Sequence, residues 1–83
     1  MAVRLHPHAQ QRLEERGVTA QEVEVTVLSG ESFSAKYGRT GFRRNFTFEG
    51  IWQTRRFGTK QVEVYAVQED NDWLVITVIA KYF

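Results

Sequence analysis

The first third of the chain has apolar residues at helical spacing. Pro7 favours the start of a helix, because its fixed φ suits the first turn and its missing N–H is not needed there. We therefore predict a helix over residues 7–16. Gly17 ends it, because glycine adopts a positive φ without steric cost. Residues four apart share one side of a helix. The apolar stripe expected to face a sheet consists of Leu5, Ala9 and Leu13.

A second helix is predicted directly after the first. The stretch from Thr19 to Glu22 has the spacing of a capping box, in which each side chain bonds the other residue's backbone N–H. The helix begins at Thr19 and ends near Ser29 and Gly30, which are turn-forming residues. Its many valines make it weak in isolation, so packing must stabilise it.

After Gly30 the apolar positions alternate, which is typical of strands. The predicted strands cover residues 32–37, 42–48, 51–57, 61–68 and 73–82. Gly, Asn and Asp favour turns. They place the turns at residues 38–41, 49–50, 58–59 and 70–72.

The last predicted strand is apolar on both faces. Such a strand is usually central in its sheet and covered on both sides. The two helices cover one side, so the other side needs curvature, a partner chain or a ligand. One face carries Trp73, Val75 and Ile79, and the other carries Leu74, Ile76, Val78 and Tyr82.

Two helices followed by an antiparallel meander predict an α+β fold, with the helices packed on a sheet of four or five strands. A chain of 83 residues is expected to form a single domain over residues 1–83. The absence of cysteine excludes disulfides, thiol catalysis and zinc–thiolate sites. No apolar run has the length of a signal peptide or a membrane span, so we expect a soluble, cytoplasmic protein without membrane contact.

The net charge is only +1, but it is distributed unevenly. Residues 36–60 hold seven basic residues and one acidic residue, whereas the segments 9–31 and 61–83 each carry a net charge of −3. A basic middle indicates a surface that faces an anion, most commonly a nucleic acid. Alternatively, these cations prevent edge-to-edge strand pairing. The seven are Lys36, Arg39, Arg43, Arg44, Arg55, Arg56 and Lys60.

The first helix offers candidate chemistry along a second stripe, formed by His8, Arg12 and Arg16. Histidine acts as a general acid or base near neutral pH, and arginine holds phosphate. Together these groups can cleave RNA without a metal. Alternatively, the stripe is a solvated face of salt bridges, and His8 packs against the sheet. No metal-ligand spacing or nucleotide-binding glycine motif is visible, so no metal and no cofactor are expected. Five aromatic residues either stack on bases or belong to the core: Trp52, Tyr65, Trp73, Tyr82 and Phe83.

Three stretches together carry a family resemblance: HPHAQQRLEERGVTAQEVEVTVLSGE, GRTGFRRNF and TKQVEVYAVQEDNDWLVITVIAKYF. They resemble the small bacterial proteins known as domain of unknown function 4258. That family is usually grouped with the RelE-like and BrnT-like toxins of toxin–antitoxin systems. The resemblance implies a RelE-like fold related to metal-free ribonucleases, and a cognate antitoxin protein as a partner. The matching positions are His8, Arg12, Arg16, Gly17, Arg39 and Thr77, and Lys81 and Tyr82 lie where some RelE-like toxins place catalytic groups.

Two functional hypotheses follow. The first is a toxin-like, metal-independent endoribonuclease or RNA-binding protein. Its catalytic residues are predicted to be His8, Arg12, Lys81 and Tyr82. Its phosphate-binding residues are predicted to be Arg16, Arg39, Arg43, Arg44, Arg55, Arg56 and Lys60. The second hypothesis is a non-enzymatic interaction module, in which the uncovered side of the last strand docks a partner or forms a homodimer.

Overall fold

The computed structural model describes residues 2–83 as two helices and one five-stranded sheet. The strands are β1 (Val3–Leu5), β2 (Glu31–Ser34), β3 (Thr40–Trp52), β4 (Arg55–Glu69) and β5 (Asp72–Tyr82). The helices are α1 (Pro7–Arg16) and α2 (Ala20–Ser29), and a short 3₁₀ turn covers Lys36–Gly38. The strand order is β1-β5-β4-β3-β2, so β4 is central and β5 lies beside it. β5 has a neighbour on each side, so the last strand is an inner strand of the sheet, as its apolar faces predict.

The ends of both helices lie where the sequence predicts them. Before α1, the Nδ1 atom of His6 accepts a hydrogen bond from the backbone N–H of His8 at 3.1 Å. Gly17 ends α1 with a φ of 70°. The predicted capping box of α2 is complete, with hydrogen bonds of 2.9 and 3.1 Å between Thr19 and Glu22. These ends depend on residues at most four apart, which is why the pattern alone predicts them.

A short parallel strand corrects the predicted all-antiparallel sheet. β1 pairs in parallel with β5, with Val3 opposite Trp73 and Leu5 opposite Val75. The other strand pairs are antiparallel. Three residues are too few to show alternation, and β1 is held by a strand from the other end of the chain. The fold is therefore α+β with a mixed, mostly antiparallel sheet.

β3 and β4 form one long hairpin, where the sequence predicts shorter strands. The predicted turn at Glu49 and Gly50 is a β-bulge, because the register shifts there and the strand continues. The hairpin turns instead at Gln53 and Thr54, with φ values of 50° and 70°. Neither residue type favours a positive φ, so the turn has no sequence signature. The predicted turn at residues 58–59 is also wrong, since both residues lie within β4.

The turn between the predicted strands 32–37 and 42–48, which correspond to β2 and β3, lies earlier than the sequence predicts. β2 already ends at Ser34, and the chain turns at Lys36–Gly38 rather than at residues 38–41. β3 begins at Thr40. The turn uses a positive φ at Tyr37 as well as at Gly38, and the pattern does not indicate this for a tyrosine.

A second bulge in β5 changes which side chains share a face. The register on β4 shifts between Thr77 and Val75, which leaves Ile76 without an opposite residue. Val75 and Val78 are consequently both buried in the core, although the sequence places them on opposite faces. Ile79 lies on the other side of the sheet from Val75, because a bulge interrupts the period of two.

The core lies between the helices and one face of the sheet. The predicted stripe of α1 is confirmed, since Ala9 is fully buried and Leu5 and Leu13 pack against the core. The buried apolar residues are Ala9, Val18, Val23, Val27, Phe42, Val62, Val64, Ala66, Val75 and Val78. Within residues 2–83, no helix covers the opposite surface of the sheet. We call this surface the open face, and it carries Arg43, Glu63, Tyr65, Thr77, Ile79 and Lys81.

Candidate functional site

The structure does not bring the four predicted catalytic side chains together. His8 is exposed in the first turn of α1, and Arg12 pairs with Glu15 at 2.6 Å. The hydroxyl of Tyr82 donates to the backbone carbonyl of Arg16, at the other end of α1. Arg16 lies eight positions after His8 in the helix, which is about 12 Å along the axis. The side chain of Arg16 is exposed there.

Tyr82 and Lys60 hold the end of α1 against the sheet. The ring of Tyr82 stacks on Trp52, with 4.8 Å between centroids. Lys60 is buried, and its Nζ donates to the carbonyl of Gly17 at 2.9 Å and to Glu22 at 2.8 Å. Burial and the charge of Glu22 raise the pKa of the Tyr82 hydroxyl, so it keeps its proton at neutral pH. These contacts indicate structural roles, while the catalytic and phosphate-binding roles of the two residues stay predictions.

The seven basic residues of the central segment do not form one patch. Alternation along β3 places Arg43 on the open face and Arg44 on the helix side, where it bonds Ser29. Lys60 is buried. The other four lie towards opposite ends of β3: Lys36 and Arg39 beside the turn between β2 and β3, and Arg55 and Arg56 at the far end of the β3–β4 hairpin. A cluster along the sequence thus becomes several separate groups in space.

A groove of about 420 Å³ lies on the open face, beside the turn between β2 and β3. Tyr65 and Thr77, which are opposite each other on β4 and β5, both line it. The ring of Phe33 meets the ring of Tyr65 edge-on, with 6.1 Å between centroids. We call this the open-face groove, and its lining residues are Phe33, Ala35, Lys36, Tyr37, Arg39, Tyr65, Thr77 and Ile79.

Tyr37 stands at this groove in a strained backbone conformation. Its φ of 63° lies in the left-handed region, which costs a residue with a Cβ about 1 kcal/mol. The residue is 86% exposed, so core packing does not compensate for the strain. The guanidinium of Arg39 lies 5.8 Å from the centre of its ring. A strained and exposed aromatic residue beside a groove suggests a binding role.

Two cations at the groove are available to a ligand. The ion pairs formed within residues 2–83 include neither Lys36 nor Arg39. Lys36 is exposed and Arg39 is half-buried. The groove therefore combines aromatic surface with positive charge that no carboxylate of the described chain neutralises.

A buried carboxylate lies next to the groove on the open face. Glu63 is 5% exposed, and its Oε1 accepts a hydrogen bond from the hydroxyl of Tyr65 at 3.0 Å. The Nζ of Lys81 lies 3.1 Å from Oε2, at ion-pair distance but without the geometry of a hydrogen bond. Arg43 is opposite Glu63 on β3 and pairs with Glu31 at 2.8 Å. Acidic and basic side chains thus alternate across four strands.

The pKa values of Glu63 and Tyr65 are both shifted. Burial raises the pKa of Glu63, but Lys81 and the Tyr65 hydroxyl together outweigh burial and lower it. Burial raises the pKa of Tyr65, and its hydrogen bond to Glu63 raises it further. At neutral pH Glu63 is therefore a carboxylate and Tyr65 keeps its proton.

The sequence predicts no site role for Phe33, Tyr37 or Glu63. Glu63 carries a weak signal, because it stands between Val62 and Val64 and so points away from the core. Tyr37 directly precedes Gly38 in a turn, but nothing in the pattern indicates that its ring is exposed beside a groove. Of the predicted catalytic residues, Lys81 lies on the open face, whereas His8 and Arg12 belong to the helix that covers the other face.

Residues 2–83 contain no group of three or more His, Cys, Asp or Glu side chains placed to hold a metal ion. No helix in the same part of the chain has the length and apolar character needed to cross a membrane.

Comparison with known proteins gives a family. No curated protein and no solved structure matches the chain. A family model described as Domain of unknown function (DUF4258) matches residues 5–80. The match includes both helices, all of β2, β3 and β4, and most of β5. The resemblance to domain of unknown function 4258 is thereby confirmed, and the chain belongs to the family of that description.

Proposed function

We propose that this chain is a toxin-like RNA-binding protein, and that its open-face groove binds single-stranded RNA. The observation that carries the proposal is the combination at the groove of an exposed Tyr37 with two cations, Lys36 and Arg39, that form no ion pair within residues 2–83. Phosphates attract the cations, and aromatic rings stack on bases.

The aromatic lining favours a single strand over a duplex. Tyr37, Tyr65 and Phe33 all line the open-face groove. The flat face of a base is accessible to such rings when the base is unpaired and unstacked. The backbone strain at Tyr37 supports the same conclusion, because it keeps an aromatic side chain exposed where asparagine or glycine would fit more easily.

The binding test is a fluorescence anisotropy titration of a labelled single-stranded RNA at several salt concentrations. Replacing Arg39 by alanine should weaken binding and reduce the slope of log affinity against log salt by about 0.7, the value for one phosphate contact on a single strand. Arg56→Ala is the matched control, since it removes the same charge nine residues, or about 30 Å, along β4 from Tyr65. Equal salt slopes for wild type and Arg39→Ala would overturn the proposal.

The resemblance to RelE-like and BrnT-like toxins extends the proposal to RNA cleavage and to an antitoxin partner. Metal-independent cleavage needs cations at the phosphate and groups that move protons. Lys81 and Arg43 supply cations on the open face, and the guanidinium of Arg43 lies 4.8 Å from the centre of the Phe33 ring in the groove. Lys81 is therefore our first candidate for a catalytic role.

The cleavage test incubates RNA with the purified protein in the presence of a chelator. Wild type should produce fragments, Lys81→Ala should produce fewer, and His8→Ala should resemble wild type because its side chain lies away from the open face. Intact RNA with a wild-type protein that binds it would reduce the proposal to RNA binding alone. Loss of cleavage in His8→Ala at unchanged RNA affinity would return the active site to α1.

A second candidate function is protein docking, favoured by three large apolar side chains on the surface. Leu28, Ile51 and Phe83 are each at least 60% exposed. Large exposed apolar side chains occur at interfaces, and single ones also occur on monomers, so the oligomeric state decides between the two functions. Light scattering distinguishes the two functions: a monomer that binds RNA supports the first, whereas a stable homodimer without RNA affinity supports the second.

A further inference from the structure

We infer that Tyr65, oriented by Glu63, is the residue with which the open-face groove selects ribose over deoxyribose. This inference rests on the proposed function, because it requires that the groove bind a nucleic acid strand. The juxtaposition behind it is a groove-lining tyrosine whose single hydroxyl proton is already bonded to a buried carboxylate.

The Tyr65 hydroxyl can accept a hydrogen bond from a ligand but cannot donate one, because its proton is already used. A phenol has one O–H to donate and lone pairs that accept. The Tyr65 hydroxyl donates to Oε1 of Glu63 at 3.0 Å, and Glu63 is 5% exposed. An ionised carboxylate has no proton to give in return. To a ligand, the Tyr65 hydroxyl therefore offers an acceptor and no donor.

The surroundings of Glu63 keep this arrangement in place. Lys81 lies 3.1 Å from Oε2, and Arg43 is opposite Glu63 on the neighbouring strand. Both positive charges favour the carboxylate over the carboxylic acid. Since Glu63 is almost completely buried, little water reaches it to replace Tyr65 as the donor. Glu63 is thus a positioning residue that acts through Tyr65.

An acceptor without a donor is suited to the ribose 2′-hydroxyl. Phosphate oxygens only accept, so they are repelled by the lone pairs of Tyr65 and belong with Lys36 and Arg39 instead. The donors on base edges change with sequence, whereas every ribonucleotide carries a 2′-hydroxyl. This hydroxyl is also the group by which proteins distinguish RNA from DNA. A hydroxyl that donates to a carboxylate becomes a stronger acceptor as well, because chains of hydrogen bonds polarise one another.

The test compares the dissociation constants of three single strands of equal length and base composition. They are oligouridine, oligodeoxyuridine and 2′-fluoro-oligouridine, measured by anisotropy on the wild-type protein. The 2′-fluoro strand keeps a ribose-like sugar but has no 2′ donor. We expect oligouridine to bind about three- to tenfold more tightly than either of the others, which corresponds to one net hydrogen bond.

The matched variant is Tyr65→Phe, which keeps the ring beside Phe33 and removes the hydroxyl. It should weaken oligouridine binding by the same factor and leave oligodeoxyuridine binding unchanged. The inference is overturned if the 2′-fluoro strand binds as tightly as oligouridine, or if a folded Tyr65→Phe keeps the wild-type ratio. Because the 2′-fluoro comparison uses wild-type protein, it decides the question even where the variant fails to fold.

Failure of this inference differs from failure of the proposed function. If the ribose and deoxyribose strands bind equally and Arg39→Ala weakens both, the groove binds nucleic acid without sugar selection. If no strand binds at any salt concentration, the proposed function itself is wrong.

Discussion

Replacing Lys60 by methionine tests whether this cation stabilises the fold or binds RNA. Lys60 is 6% exposed, and its ammonium bonds both the carbonyl of Gly17 and the carboxylate of Glu22. Methionine keeps an unbranched side chain of similar length and removes the charge. The substitution therefore deletes two hydrogen bonds with little change in packing.

The loss of stability follows from these contacts. Hydrogen bonds to charged groups contribute about 1.5–3 kcal/mol each, and removing one partner of a buried ion pair costs about 3–5 kcal/mol. The side chain of Glu22 is 21% exposed, so water partly replaces Lys60 and the cost is smaller. We expect the free energy of unfolding to fall by about 2 kcal/mol, which lowers Tm by about 8–16 °C in a domain of this size.

The assay pairs urea denaturation with RNA titration on the same preparations. Arg56→Met is the control, because its exposed side chain makes no ion pair within residues 2–83 and its loss should change stability by less than about 0.5 kcal/mol. Adding Glu22→Gln to Lys60→Met should restore part of the stability, since the carboxylate is then no longer left without its partner. Unchanged stability, with a larger loss of RNA affinity than in Arg39→Ala, would refute this reasoning and make Lys60 a phosphate contact.

Two further predictions concern stability. Gly17→Ala should lower the free energy of unfolding by about 2–4 kcal/mol, because the new Cβ lies 2.5 Å from Cζ3 of Trp52 at a φ of 70°. A loss below about 1 kcal/mol in urea denaturation would contradict this steric argument. The folded-state pKa of Glu63 lies below its ordinary value of 4.5, so its charge stabilises the fold above pH 4.5, and this contribution is lost as the pH falls through the lower, folded value. The Tm difference between wild type and Glu63→Gln should therefore shrink as the pH falls below 4.5, whereas a constant difference would show that the charge of Glu63 contributes no stability.

The candidate site was only partly predictable from the sequence. The sequence shows the basic segment and predicts a phosphate contact at Arg39, and the structure places Arg39 at the groove. Neighbouring arginines in a strand point to opposite faces, however, so Arg43 and Arg44 separate as soon as β3 forms. Lys60 has the same charge as Arg39 but lies in the core, and composition cannot distinguish an exposed cation from a buried one.

The boundaries of the strands are also only partly predictable from the sequence. The sequence predicts a turn at Gly50 because glycine accepts a positive φ, yet the pairing of β3 with β4 carries the strand through Gly50 as a bulge. The hairpin then closes at Gln53 and Thr54, where the paired strands impose a conformation that these residues do not favour. β1 forms because its three residues pair with β5. Their own sequence is too short to show the alternation that predicts a strand.

What the sequence determined by itself is the local structure: the helix that ends at Gly17, the capping box from Thr19 to Glu22, and the change to strands after Gly30. These features depend on interactions between residues at most four apart, so the order of residues is sufficient to predict them. Only the packing of distant segments sets the strand order, both bulges and the groove that Tyr37 and Tyr65 both line. Such contacts join distant parts of the chain, and a shift of one residue in strand register moves a side chain to the opposite face of the sheet.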